Sequence, residues 1–324
     1  MARYIGIDIG GTKCAVSFGN SDSKKISVFA KSAIESSPDN PEKTLKHLND
    51  VLKKMMRLNG LKEKDFDAIG ISCGGIVNSA KCLLVSTPVL PMWRNINFAK
   101  IFSKTLPTFI QNDANACAVA EWLYGAGKDT KNMVFLTCGT GLGAGLILNG
   151  SLYEGACCTA GEVGHMRIEP IGPVACGKAG SWEGLCSGYG IGELGKYRAR
   201  ELLGSGGTCG YCKNISEIES ITAKTLANAA ADGDPDAIAV YKKAGDYLGR
   251  GIANIIDIIN PEAIVIGGVF PRCENLLRPT MEEAIKREAM PLPAEFCKVL
   301  KAKLGEKVGD VAAIAVAING IKNK

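Results

Sequence analysis

The stretch IGIDIGGTK, residues 5–13, alternates apolar and small positions, carries Asp8 near its end, and then passes through Gly10 and Gly11 to Thr12 and Lys13. The alternation predicts a strand with a buried face. A buried strand rarely takes a carboxylate to its end unless something charged lies beyond it, and paired glycines remove the side chains that would hold a ligand away from the backbone. The turn therefore reads as a place to receive a ligand. Strand-like segments at residues 14–18 and 27–32 follow across polar turns, which predicts an antiparallel meander.

The pattern recurs at residues 133–150, MVFLTCGTGLGAGLILNG, where a strand at 133–137 enters Gly139-Thr140-Gly141 and a strand at 144–148 leaves it. Two copies of strand, Gly-Thr turn and strand predict an internal duplication with a ligand held between two like-built halves. Each turn offers unshielded backbone N–H groups and a threonine hydroxyl, groups suited to phosphate oxygens. Neither is a Walker loop, because GxxxxGK[ST] is absent, and neither opens the helix that a dinucleotide fold requires. The pair predicts a nucleotide clamp.

Between the turns, Leu45, Leu48, Val51, Leu52, Met55 and Met56 recur at helical spacing over residues 41–58. A strand at 68–72 runs into Gly74-Gly75, and a strand at 108–111 runs into Asn112-Asp113-Ala114-Asn115 before an alanine-rich helix ending near Tyr124. Asn112 and Asp113 are residues preferred at a helix N-cap. Further on, helices are predicted at 216–231, 236–259 and 274–287, a strand at 263–266 before Gly267-Gly268, and a terminal apolar helix at 309–321.

At 324 residues, two domains are expected. With 46% apolar and 22% charged residues, the composition is ordinary for a globular protein, and no apolar run is long enough for a membrane segment to be expected. The net charge of +5 is spread among glutamates without interleaved aromatics, which argues against a nucleic-acid partner. The opening residues lack the pattern of a secretory leader, so a cytoplasmic location is expected, and most of the thirteen cysteines are expected as free thiols.

DIGGTK (8–13), NDAN (112–115), CGTGLGAG (138–145), AGEVGH (160–165), Trp182-Glu183 and INPEAIVIGG (259–268), in this order, make the chain resemble the sugar kinases of the ROK family (repressors, open reading frames, kinases) over nearly its whole length. The resemblance implies an α/β fold of two RNase H-like domains of the actin–hexokinase type with an interdomain cleft. The small domain would take residues 1–118 plus 309–324 and the large one 119–308. Family repressors carry a helix-turn-helix ahead of this body, so a chain opening on the phosphate strand is expected to be the enzyme.

Carried onto the matching positions, the resemblance implies ATP and Mg²⁺ as cofactors and Asp113 as the base that takes the proton of the attacking sugar hydroxyl. It implies sugar contacts from Gly75, Asn112, Asp113, Glu162, His165 and Glu183, with Gly74 and Gly155 lining the same pocket. The nucleotide phosphates would meet Asp8, Gly10, Gly11, Thr12, Lys13, Gly139, Thr140, Gly141, Gly267 and Gly268, with Asp8 reaching Mg²⁺ through water. Glucose phosphorylated at the 6-hydroxyl is the default acceptor; N-acetylmannosamine, N-acetylglucosamine, fructose and allose are rivals, and a homodimer is implied. A sugar-sensing regulator without turnover is the alternative from another class. An actin-type ATPase is disfavoured, because AGEVGH and Glu183 have no role there.

Two stretches depart from the family. Where many members have CxCGxxGC, this chain has Val174, Cys176 and Ser181, so His165 and Cys176 alone cannot close a tetrahedral zinc site and no structural zinc is expected. Packing, with Trp182, is expected to hold that loop, and Cys209 and Cys212 form a lone CxxC read as structural. The other departure is Thr87-Pro88-Val89-Leu90-Pro91 in place of PNLP, which leaves the acceptor sugar open.

Overall fold

The computed structural model describes every residue except 23, 89, 306, 307 and 324. Val89 of the departing stretch 87–91, and residues 306, 307 and 324 near the ends of the expected domain segments, lie outside the described residues. Contacts divide the chain into two compact units, one of Met1–Phe135, Gly145–Gly161 and Lys303–Lys324, the other of Leu136–Ala144 and Glu162–Ala302.

In chain order the elements are β1 (Ala2–Ile9), β2 (Lys13–Ser21), β3 (Ile26–Glu35), α1 (Pro41–Leu58), β4 (Ala68–Cys73), β5 (Ile76–Asn78), β6 (Leu83–Ser86), β7 (Arg94–Asn97), β8 (Thr108–Gln111) and α2 (Asp113–Tyr124). They continue as β9 (Met133–Cys138), β10 (Leu142–Leu148), β11 (Ser151–Tyr153), β12 (Val174–Ala175), β13 (Lys178–Ala179), α3 (Trp182–Cys186), α4 (Gly188–Gly204), α5 (Ala223–Ala231) and α6 (Pro235–Ile259). The last are β14 (Ala263–Ile266), α7 (Phe270–Glu288), α8 (Pro291–Phe296), β15 (Lys298–Lys301) and α9 (Val308–Lys322).

The first sheet has the order β3-β2-β1-β4-β8. β1, β2 and β3 are the antiparallel meander, and β4 and β8 run parallel to β1. β4 is buried at every residue because it has a strand on either side and elements on both faces, whereas the edge strand β3 alternates between half-buried and exposed positions. The second sheet has the order β11-β10-β9-β14-β15, and the boundary between the units falls within β9 and β10. The two orders match strand for strand, which is the duplication that the repeated turns foretold.

Local sequence accounts for most element ends. Asn40 caps α1 by accepting the Lys43 N–H at 2.9 Å, Pro41 occupies the first helical position, and Leu45, Leu48, Leu52 and Met55 form its buried stripe. The single helix expected over 216–231 is instead a 3-10 turn at Ile215–Ser220 followed by α5. The Thr222 hydroxyl accepts the Thr225 N–H at 3.2 Å and the Thr225 hydroxyl accepts the Thr222 N–H at 2.8 Å, a reciprocal cap that starts a new helix. Helix α4, with glycines at 188, 190, 192, 195 and 204, has no strong helical signal and is fixed by packing: a Cβ at Gly195 would lie 2.5 Å from Leu226.

Helix α9 lies against β1 and β4 in the first unit, and glycine makes that approach possible. Gly6 and Gly70 are paired across the two strands. A Cβ at Gly70 would stand 1.9 Å from the Ala313 carbonyl oxygen and 2.5 Å from the Ala317 nitrogen, and one at Gly6 would stand 2.9 Å from Ile314. The same unit is tied at the far end of α2 by Glu121, fully buried, whose carboxylate accepts the N–H groups of Ala126 at 2.7 Å, Lys303 at 3.2 Å and Leu304 at 2.8 Å. Gly70→Ala should lower the thermal midpoint by several degrees, through overpacking of about 1–3 kcal/mol or more. Gly204→Ala, where a Cβ meets nothing within 4 Å, is the matched control. Equal midpoints for the two variants would rule out this account of the helix seat.

Candidate active site

The first unit assembles one group of the expected residues at the carboxyl ends of β1, β4 and β8. The turn after β1 is closed on itself: Gly10 N–H donates to the Lys13 carbonyl at 3.1 Å, Ser36 N–H donates to the Thr12 carbonyl at 2.9 Å, and the Ser36 hydroxyl donates to the Gly10 carbonyl at 2.7 Å. The Gly10, Thr12 and Lys13 carbonyls are thereby occupied, as is the Gly10 N–H that was expected from the sequence to be unshielded, and Thr12 and Lys13 are exposed. Asp8 lies opposite Ser72 in the parallel register of β1 and β4. Its carboxyl is pushed up to about 6 by burial, with the Asp113 and Asp310 charges adding to the rise and the Ser72 hydroxyl and Lys31 opposing it.

The turn from β8 into α2 separates two roles that the sequence left together. Asn112 is the N-cap, its side-chain oxygen accepting the Asn115 N–H at 2.7 Å. Asp113 is therefore not needed as the cap. One of its carboxylate oxygens accepts the Ala114 N–H at 2.9 Å, and the other lies 3.7 Å from where a Cβ at Gly74 would stand. Asp113 is exposed, yet enough protein surrounds the carboxylate that desolvation raises its pKa against the lowering effect of the backbone N–H groups. Gly75 has φ of +120°, and a Cβ there would meet the Ser86 carbonyl oxygen at 2.4 Å, so glycine is required where the chain, one residue beyond Gly74, passes the end of β6.

Asp8, Gly74, Gly75, Asn112 and Asp113 thus come together. Lys13 is exposed at the start of β2, and Lys31 of β3 acts on Asp8 and pairs with Asp310 at 2.5 Å. Lys31, Ser72 and Asp310 were not anticipated, and only the acidic residue in the first turn of α9 gave any sign. Gly155 has φ of +73° and packs against Ala160.

The second unit assembles the other group. Gly139 N–H donates to the Gly141 carbonyl at 3.0 Å, while the Gly139 and Thr140 carbonyls accept the N–H groups of Gly188 at 2.8 Å and Tyr189 at 3.1 Å from the start of α4. Gly268, at φ of +74°, brings its backbone so close that a Cβ would lie 2.0 Å from the Cys138 carbonyl oxygen, and Gly267 N–H donates to the Leu136 carbonyl at 2.9 Å. A cavity of about 640 Å³ opens beside this turn, lined by Gly139, Thr140, Tyr189, Lys196, Thr222 and Arg272 among others. Lys196, on its wall, pairs with Glu193 at 2.8 Å and Glu219 at 3.3 Å, a group the sequence did not signal. A larger cavity of about 890 Å³, against Ile171, Tyr197 and Tyr247, contains none of the expected residues, so size alone does not mark the site.

Glu183 joins the remaining residues. Its carboxylate accepts the Leu142 N–H at 2.8 Å and the Cys176 thiol at 3.3 Å, and a Cβ at Gly164 would lie 2.2 Å from the Leu142 carbonyl oxygen and 3.3 Å from Glu183. That close fit seats the 3-10 turn Val163–His165 against Glu183, with Glu162 and His165 exposed beside it. Burial and the Glu183 carboxylate push the Cys176 thiol up to about 11, in keeping with the hydrogen bond it donates to Glu183.

The residues at the family's zinc positions do not fit the metal. Ser181 is the N-cap of α3 and also donates to the Ala175 carbonyl at 3.1 Å, and among the described residues no group of three or more His, Cys, Asp or Glu could hold a metal ion. Instead Arg250 holds the loop through Glu169 at 2.5 Å and the Ile168 carbonyl at 3.1 Å, and the buried Trp182 donates its indole N–H to the Tyr247 carbonyl at 3.0 Å. All thirteen cysteines, Cys209 and Cys212 included, are free thiols.

The model of the ROK family matches residues 4–319. A glucokinase of Halalkalibacterium halodurans is 31% identical over 312 residues, covering 94% of this chain and 92% of that protein. A ROK family glucokinase from Streptomyces griseus, solved in complex with glucose and AMPPNP, is 27% identical with a TM-score of 0.73 and covers 98% of this chain and 100% of its own. A ROK family transcriptional regulator, a homologue of the E. coli MLC protein, is 26% identical with a TM-score of 0.83, covering 98% of this chain and 78% of the regulator. The fold is the two-domain α/β fold of the actin–hexokinase type, and the chain, matched almost from end to end, belongs to the ROK family.

Proposed function

We propose that the protein is an ATP-dependent hexose kinase, with glucose and its 6-hydroxyl as the first acceptor to test. One observation carries the reading: Asp113 stands at the start of α2 with one oxygen held by the Ala114 N–H, the other directed toward the Gly74 backbone, and a raised pKa. A carboxylate so held suits a base that removes the hydroxyl proton as the sugar oxygen attacks the γ-phosphorus. The new P–O bond forms as the bond to the β-phosphate oxygen breaks, and ADP carries away the electron pair. Gly10, Gly11 and Thr12, and Gly139, Thr140 and Gly141, are assigned to the phosphates, with Gly267 and Gly268 beside the second turn. Asn112, whose amide N–H groups are left over once its oxygen caps α2, is assigned to sugar hydroxyls with Gly75, Glu162, His165 and Glu183.

The reaction calls for Mg²⁺, and Asp8 fits it: a desolvated carboxylate opposed by Asp113 and Asp310 gains from a hard cation, which nucleotide sites hold with one or two carboxylates, water and phosphate. When bound there, the ion neutralises phosphate charge. The likeness to glucokinases supports turnover, and the likeness to a ROK regulator favours a second reading, a sugar-responsive regulator. Retention of Asp113 and of both Gly-Thr turns favours the enzyme. A homodimer acting in the cytoplasm completes the proposal.

Three outcomes follow. Asp113→Asn should lower sugar-dependent ADP release by about 10²–10⁴-fold while the sugar still raises the thermal midpoint; turnover near the parent level would remove Asp113 from the role of base. Because the Asp8 and Asp113 carboxyls are both raised, they hold protons to higher pH than free carboxyls, so kcat/KM should fall as pH drops below about 6. A flat profile down to pH 4.5 would contradict that assignment. A zinc-selective chelator should leave activity intact, whereas EDTA should abolish it and excess Mg²⁺ restore it; loss with the zinc chelator would reinstate a zinc site.

A further inference from the structure

Gln111 is the last residue of β8, the edge strand of the first sheet, and directly precedes Asn112 and Asp113. Its backbone has a strand partner on one side only, so the end of this strand needs another anchor. The anchor is a line of side chains. Gln111 donates an amide N–H to the Glu154 carboxylate at 3.1 Å and accepts one from the Asn115 amide at 3.2 Å, and the Asn115 backbone N–H in turn binds the Asn112 side-chain oxygen at 2.7 Å. Gln111 is 8% exposed and Asn115 1%, so water offers them little replacement. The line spans the turn that carries Asp113.

The direction of this line is set at one end. An ionised carboxylate only accepts hydrogen bonds. Glu154 therefore obliges Gln111 to present its NH₂ outward and its oxygen to Asn115, and Asn115 to present its own NH₂ in return. The arrangement has a visible cost: the Asn115 oxygen is buried with no partner. Without an acceptor at position 154 Gln111 loses its bond outward from the turn, and the Gln111–Asn115 pair is no longer held in one direction.

Resting on the kinase reading of Asp113, we propose that Glu154 is a positioning residue, which fixes the orientation of the Gln111 and Asn115 amides and so holds the Asn112–Asp113 turn in its working geometry. Small displacements of a reacting group are expensive in rate even when the fold is unchanged.

The test is Glu154→Ala beside Glu154→Gln, whose amide oxygen can still accept the Gln111 N–H, read by sugar-dependent turnover and by hydrogen exchange at the Asn115 amide. Glu154→Ala should lower kcat by about 10- to 100-fold with a smaller change in sugar KM, and should speed exchange at Asn115, while Glu154→Gln stays near the parent in both. Should Glu154→Ala fail to fold, Gln111→Met, which removes both bonds at similar volume, is expected to give the same two effects. Parent-like exchange at Asn115 in the alanine or methionine variant, or equal damage from Glu154→Ala and Glu154→Gln, overturns the proposal. If the parent protein phosphorylates no sugar, the kinase reading has failed, and the exchange comparison still decides whether Glu154 holds the turn.

Discussion

The seat of α9 on β1 and β4 is the constraint on which the first unit depends. Gly6 and Gly70, opposite each other in the sheet, leave no side chain between strand and helix, so the backbone of α9 rests almost on the backbone of β4. The helix is alanine-rich on its buried faces for the same reason. Its first turn consequently reaches the end of β1, where a Cβ on Gly309 would stand 3.8 Å from the Asp8 carboxylate, and Asp310 adds its charge to those of Asp8 and Asp113. The backbone N–H groups that the buried Glu121 binds, at Lys303 and Leu304, fix where the chain re-enters this unit ahead of the helix.

That seating concentrates negative charge at the ends of β1 and β8. Burial raises the carboxyl of Asp8 from 3.8 to about 6, with the Asp113 and Asp310 charges adding to the rise and the Ser72 hydroxyl and Lys31 opposing it. In stability terms the folded chain binds this proton more tightly than the unfolded one, so the contribution of Asp8 is greatest below the unfolded pKa and declines as pH rises through about 6. Such an arrangement opposes the fold in the absence of a cation or a proton donor. Clusters of this kind belong to sites where charge is to be received.

The strands, the capped helices and the two Gly-Thr turns were legible because each has a local cause: alternation for β1, a short apolar run for β4, Asn40 and Pro41 for α1, Asn112 for α2. Elements without a local cause were not. Helix α4 is written over a glycine-rich segment that packing makes helical, and the small sheet of β5, β6 and β7 comes from three- and four-residue strands too short to show a period. The break at Thr222 was legible in principle, since Thr222 and Thr225 have the spacing of a reciprocal cap.

By itself, then, the sequence determined the duplicated strand-turn-strand plan and the family, because spacing along one chain records short-range geometry. Tertiary structure alone decided which side chains are already engaged. Asn112 takes the cap and leaves Asp113 free of it; Lys31, from β3 two strands away, acts on Asp8; and Arg250, from α6, binds Glu169 and Ile168 ahead of the loop at 174–181. Each of these partners is distant in sequence or depends on the direction of a hydrogen bond. Such pairings exist only once the chain has folded and burial has made every donor and acceptor find its partner.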